Sequence, residues 1–281
     1  MINYYLITKP GIVLGNLVTV AAGFLLASKG TINFWLFAAT MVGLAFIMAS
    51  ACVLNNYIDR KLDQKMQRTK TRPIASGLIS GRNAISFAIL LAIIGNGVLF
   101  FYTNGLTVAV ANGGFFVYVF LYSMWKSRTV YGTAIGSVAG AVPPVVGYCA
   151  VSNQFDAGAL ILFFMLVLWQ MPHFFAIALY HFDDYAAAGI PTLPIAKGVF
   201  RTKIHMVIYI FAFILVSLLL TAFGYTGYVY VMLTTLVGLA WLALGFRGFS
   251  SVNDQQWGGQ MFRLSLAMIA VICILIPLDR V

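Results

Sequence analysis

The chain has 281 residues, 62% hydrophobic and 9% charged, with a mean hydropathy of +0.94 and a formal net charge of +10. That balance excludes a soluble domain and describes a polytopic membrane protein. The positive charge is then a topology signal and a poor argument for nucleic acid. Nine apolar runs of roughly bilayer-spanning length follow one another, at about 11–28, 33–55, 84–103, 107–124, 130–151, 158–180, 204–223, 228–246 and 261–279. None alternates polar with apolar, so a β-barrel is excluded. The expected fold is all-α: a single membrane domain over 1–281, with about nine transmembrane helices around a central cavity.

With the N-terminus on the cytoplasmic side, only Lys29 and Arg280 among the basic residues fall outside. No cleavage pattern or transit peptide accompanies the first run, so the expected location is a bacterial cytoplasmic (inner) membrane. Cys52, Cys149 and Cys273 lie in or beside apolar runs without paired spacing and read as small buried hydrophobes.

Polar chemistry concentrates in two loops on the cytoplasmic face. The chain has seven acidic residues, all Asp, and four of them sit in these loops. At the end of the second run, Asn55, Asp59 and Asp63 recur every four residues and share one face if the helix continues past the bilayer edge. Bare carboxylates at that spacing repel, whereas a bound Mg²⁺ joins one or two carboxylates to substrate phosphates. A solvated helix end, with the Asp residues paired to nearby Arg and Lys, is the other reading of the same spacing. Arg68, Lys70 and Arg72 follow, closed by Pro73, and suit a diphosphate while also anchoring the cytoplasmic face.

The fourth run ends in Tyr122 and Lys126, one helical turn apart. The fifth contains Pro143-Pro144 after several glycines, implying close helix approach and a bend. In the sixth, Pro172 is expected to kink the helix, and His173 is an ionisable residue at membrane depth. Three roles stay open for His173: a ligand or positioner of a bound group, an orienter of water, or a hydrogen-bonded core histidine. The second acidic loop brings His181, Asp183 and Asp184. Adjacent carboxylates diverge on a helix, so one is a ligand and the other a helper, and Asp184 is the better candidate.

The segment NNYIDRKLD followed by RTKTRP resembles the first signature, N-x-x-x-D-x-x-x-D, of the UbiA-type intramembrane prenyltransferases, and Tyr122 and Lys126 match a further Y-x-x-x-K element. WQMPHFFAIALYHFDDYAAAGIPTLPI is similar to the haem O synthase branch of that family. The resemblance spans essentially the whole chain. It implies an enzyme transferring a farnesyl group from farnesyl diphosphate to a vinyl group of protohaem IX, with water addition. It implies Mg²⁺ on Asp59, Asp63 and one or both of Asp183 and Asp184. Catalytic roles would fall to Asp59, Asp63, Lys126 and His173, and substrate binding to Asn55, Arg68, Lys70, Arg72, Tyr122 and His181. The lipid bilayer and a downstream haem A synthase or haem-copper oxidase complete the expected partners.

One departure stands out: Tyr180 occupies the position four before Asp184, so a second D-x-x-x-D is missing. Prenylation of an aromatic acid such as a hydroxybenzoate is the nearest rival. A cation-coupled transporter fits less well, because its ionisable groups belong near the midplane. No Asp-Gly pair is present, which argues against a CDP-alcohol phosphotransferase.

Overall fold

The computed structural model describes residues 2–281. Nine helices are long and apolar enough to cross a membrane among these residues. They are α1 (Pro10–Ala27), α2 (Phe34–Asp63), α3 (Gly81–Tyr102), α4 (Gly105–Trp125), α5 (Gly132–Ser152), α6 (Ala157–Tyr180), α7 (Val199–Ala222), α8 (Tyr228–Ser250) and α9 (Asp254–Leu278). The described residues hold no strand, only an isolated bridge between Thr226 and Arg280.

Five helix starts are written in the loops. Asn33, Ser80, Asn104, Asp156 and Asn253 each accept a hydrogen bond from a backbone N–H in the first turn of α2, α3, α4, α6 and α9. Such a cap contributes about 1 kcal/mol and satisfies a donor that a membrane-edge helix otherwise leaves bare. The Asn253 cap explains why α9 begins at Asp254, about two turns before the apolar run expected from hydropathy alone. Its first turn is polar, and Asp254 is joined to Lys203 of α7 at 2.5 Å.

Helices adjacent in sequence pack in turn, and α9 closes the bundle against α6 and α1. Helices α1 and α5 approach closely, where a Cβ on Gly23 would lie 2.0 Å from the Pro144 carbonyl and one on Gly147 would lie 2.1 Å from that of Val20. Only glycine permits this contact, in which backbone van der Waals packing replaces the hydrophobic effect that lipid cannot supply. One buried core gathers α6–α9 with parts of α1 and α5 around Trp169, Phe213, Tyr230 and Trp241. A second joins α1–α3 to Ile74 and Ile79, which pins the basic loop against the bundle. Large apolar side chains such as Trp35 and Phe101 point outward, as lipid contact requires.

Two backbone irregularities shape the interior, and a third expected from the sequence does not interrupt its helix. Helix α4 loosens to a π-helix over Val117–Tyr122, and α5 is interrupted at Ala141 ahead of Pro143 and Pro144. Helix α6 stays continuously helical through Pro172.

Candidate active site

Helix α2 runs unbroken to Asp63, so Asn55, Asp59 and Asp63 stack on one face, as their spacing requires if the helix persists. That face is not solvated. Asn55, Asp59 and Asp63 are 1%, 3% and 2% exposed, and together they line a cavity of about 270 Å³. The solvated-helix-end reading therefore fails on burial.

The walls come from distant parts of the chain. Lys9 and Ile12 enter from the start of α1, and Met66, Arg68 and Arg72 from the loop after α2. Tyr118, Tyr122 and Lys126 come from the end of α4, Gly132 and Thr133 from α5, and Phe174, Ile177 and Ala178 from α6. Tyr185, Ile190, Pro191 and Thr192 close the mouth from the loop beyond α6.

Each carboxylate has its own cation. Asp63 accepts from Arg72 Nη1 at 2.9 Å and 3.0 Å, one contact to each oxygen. Asp59 Oδ2 accepts from Lys126 Nζ, which also lies 5.3 Å from the centre of the Tyr122 ring. Thr69 Oγ1 donates to the Asp63 carbonyl at 3.0 Å and ties the basic loop back onto the helix end. Asn55 links two walls: it accepts from Lys9 Nζ at 2.5 Å and donates to Ser123 Oγ at 2.9 Å. Ser123 Oγ in turn donates to the Tyr118 carbonyl at 2.8 Å, which satisfies an acceptor in the π turn. Asn56 donates to the Ile7 carbonyl at 2.8 Å, fixing the short N-terminal helix Ile2–Ile7 against α2.

Four cations (Lys9, Arg68, Arg72 and Lys126) face two carboxylates around the cavity. The excess positive charge suits a polyanion such as a diphosphate. Two polar atoms of the wall, Asp59 Oδ1 and Thr192 Oγ1, are buried and have no hydrogen-bond partner, and only the first belongs to a charged group. A buried carboxylate oxygen in that state is costly unless something cationic reaches it. Magnesium fits, because it takes few protein carboxylates and fills its remaining positions with water and phosphate oxygens. The described residues contain no cluster of three or more His, Cys, Asp or Glu side chains arranged for a metal.

Other candidate residues lie further off. Lys70 is exposed and does not line the cavity. His181 ends α6 and is followed by the short helix Phe182–Ala187 carrying Asp183 and Asp184. Asp183 is exposed, and its Oδ2 accepts from Gln255 Nε2 of α9 at 2.9 Å, away from the cavity. Burial and the charge of Arg68 hold His181 below the ordinary histidine range, while Asp184 acts in the opposite direction. Asp184 is half-buried and, like His181, is not among the residues that line the cavity. His173 faces α9, with Nδ1 2.7 Å from Ser265 Oγ.

Three wall residues escaped the sequence reading. Lys9 was legible only as a topology charge, yet it holds a left-handed backbone conformation (φ 52°) immediately before Pro10 and reaches Asn55. Non-glycine residues adopt that conformation at a cost of about 1–2 kcal/mol. Burial lowers the Lys9 ammonium from 10.5 to about 8. Tyr118 enters through the π turn, with its ring 5.4 Å from that of Tyr122. Tyr185 closes the mouth, its phenol pushed up by burial.

Residues 16–267 match the model of the UbiA prenyltransferase family. The chain belongs to the UbiA prenyltransferase family. It is 61% identical to a protoheme IX farnesyltransferase of Protochlamydia amoebophila (strain UWE25), across 100% of both chains. Two solved structures share the UbiA-type fold. One comes from work on digeranylgeranylglyceryl phosphate synthase in membranes; it aligns with a TM-score of 0.81 and 16% identity over 99% of this chain and 97% of its own. The other, a UbiA homologue from Archaeoglobus fulgidus bound to GPP and Mg²⁺, aligns at 0.71 and 17% identity over 96% of this chain and 99% of its own. The integral-membrane character and helical architecture expected from composition are those of this family.

Proposed function

We propose that this chain transfers a farnesyl group from farnesyl diphosphate to a vinyl group of protohaem IX, adding water to give haem O and diphosphate. The observation that carries the donor half is the buried Asp59–Asp63 face set among Lys9, Arg68, Arg72 and Lys126, with Asp59 Oδ1 unpartnered. The acceptor half is supported by full-length similarity to a protein named for that reaction. In this reading Asp59 and Asp63 would hold Mg²⁺ from the cavity wall and Asp184 would join them from outside that lining, with Asp183 a helper. When bound, the ion supplies Lewis-acid neutralisation of the diphosphate oxygens.

The chain's own residues do the rest. Arg68, Arg72 and Lys126 hold positive charge against the leaving diphosphate as the allylic C–O bond breaks and its electron pair departs with oxygen. Lys70, exposed on the same loop as Arg68 and Arg72, would attract the anion from solution. Tyr118 and Tyr122 line the cavity, where aromatic rings would stabilise the developing allylic cation. The vinyl π electrons then form the new C–C bond, and water captures the cation beside the macrocycle and loses a proton. Asn55 holds Lys9 in place, and His181, at the end of α6, would contact the substrate from outside the cavity lining. The C15 chain belongs in the apolar interior while its diphosphate stays at the mouth.

The fifteen-carbon donor, the single domain over 1–281, the cytoplasmic N-terminus and the bacterial inner membrane with its active site facing the cytoplasm are parts of the same proposal. So is transfer of the product to a haem A synthase or haem-copper oxidase. The test is mass spectrometry of haem after incubating detergent-purified protein with haem B, farnesyl diphosphate and Mg²⁺. A haem that gains farnesyl and water only with Mg²⁺ present supports the proposal. Unchanged haem alongside a prenylated hydroxybenzoate moves the activity to the sibling class, and no reaction with either acceptor defeats the prenyl-transfer reading.

A further inference from the structure

His173 takes no part in the ion pairs of the mouth. It lies four residues before Ile177 on α6, about 6 Å further from the mouth, on the flank that meets α9. Its ring stacks on Trp169 (centroids 4.6 Å apart, 22° between planes) and lies 5.1 Å from Phe262. The ring of Phe174, which lines the cavity, is 5.7 Å away.

The position of one proton decides what His173 can do. Ser265 Oγ lies 2.6 Å from the Phe262 carbonyl and 2.7 Å from His173 Nδ1. At 2.6 Å from a carbonyl oxygen the hydroxyl has to donate, since two lone pairs at that separation repel. Its single proton is then engaged, so Ser265 accepts from His173 and Nδ1 carries the ring hydrogen. Nε2 is left as a lone pair and has no hydrogen-bond partner among the described residues. The neighbouring indole cannot supply one, because Trp169 Nε1 donates to the Ser265 carbonyl at 2.9 Å. An imidazole whose distal nitrogen is fixed by a hydrogen bond and whose other lone pair is free is prepared for a metal.

We propose that His173 Nε2 is the axial ligand to the iron of the protohaem acceptor and that Ser265 is the positioning residue holding it in the ligating tautomer. This assignment rests on the haem-acceptor reading above. Trp169, Phe174 and Phe262 set three aromatic rings around the imidazole, and Phe174, which also lines the cavity, connects this flank to the donor site.

The experiment is a titration of haem B into the full-length, detergent-solubilised protein, followed by absorption and electron paramagnetic resonance. The native protein should show nitrogen-ligated ferric haem. His173→Ala should lose that signature and bind haem at least about 10-fold more weakly, and added imidazole should restore the signature. Unchanged Mg²⁺-dependent binding of farnesyl diphosphate by this variant reports that it is folded. Ser265→Ala should weaken haem binding about 10-fold, whereas Ser265→Thr, which keeps the hydroxyl, should stay within about twofold. A His173→Ala protein with the native spectrum and affinity overturns the assignment. Native protein that farnesylates haem without a nitrogen ligand overturns it too, and leaves the activity standing. Native protein that neither binds nor modifies haem defeats both.

Discussion

The two acidic motifs of this chain reach opposite ends by the same geometry. Asp59 and Asp63 sit four apart on a helix that runs on to Asp63, so both turn inward, and each meets a cation from a different element. Asp183 and Asp184 are adjacent on a six-residue helix that restarts after His181, so they diverge. One ends on the outside, held by Gln255, and the other lies near His181 and Arg68. Spacing and helix continuity, more than the number of carboxylates, decide whether a motif builds a buried charged site.

The largest expected effect comes from breaking the first motif. Asp59→Asn or Asp63→Asn should lower farnesyl transfer by about 10²–10³-fold, the scale on which transition-state charge stabilisation is lost. Helical content and membrane insertion should be retained by circular dichroism and fractionation. Normal turnover in either variant would remove the metal assignment. Lys126→Met comes next, with a loss on the order of 10²-fold carried mainly by kcat, since the cation acts on the leaving group. It also strands a buried carboxylate, so Lys126→Arg serves as control: it keeps the charge, and recovery of activity there separates chemistry from folding.

How much of this was legible beforehand follows from the kind of signal each feature leaves. Hydropathy located all nine helices because spanning a bilayer imposes length and apolarity together. It truncated α9, whose first turns are polar and held by the Asn253 cap and the Lys203 pair. The i, i+4 spacing of Asn55, Asp59 and Asp63 announced a shared face. The specific partners of that face were not legible, because Arg72 and Lys126 reach it through tertiary packing. Tyr118 was hidden for another reason: the π turn that aims it is a backbone event without a residue preference to betray it. Lys9 was visible but explained away, since a basic residue beside a first helix already satisfies the topology rule.

The second motif offers a smaller and sharper test. Asp184→Asn should reduce turnover by about 10-fold and raise the Mg²⁺ concentration needed for half-maximal rate, as befits a carboxylate contributing to a shared ion. Asp183→Asn should stay within about twofold, because its oxygen is engaged by Gln255 outside the cavity. Equal losses in the two variants would mean that the short helix Phe182–Ala187 reorients on substrate binding.

Lys9 gives the smallest effect and the one most easily mistaken. Burial brings its ammonium to about 8, against 10.5 for a free lysine. Below about pH 8 it is charged and available to a phosphate oxygen; above that it is neutral. Affinity for farnesyl diphosphate should therefore fall a few-fold between about pH 7.5 and 9, seen as a rise in KM with kcat nearly constant. Conformational stability moves the other way. Between about 8 and 10.5 the unfolded chain binds the proton that the folded one has shed, so this residue adds stability as pH rises through that window. A loss of activity from alkaline unfolding would carry the opposite sign in a melting curve. Lys9→Arg, charged throughout, should flatten the KM profile, and a slope that persists in this variant would assign the titration to another group.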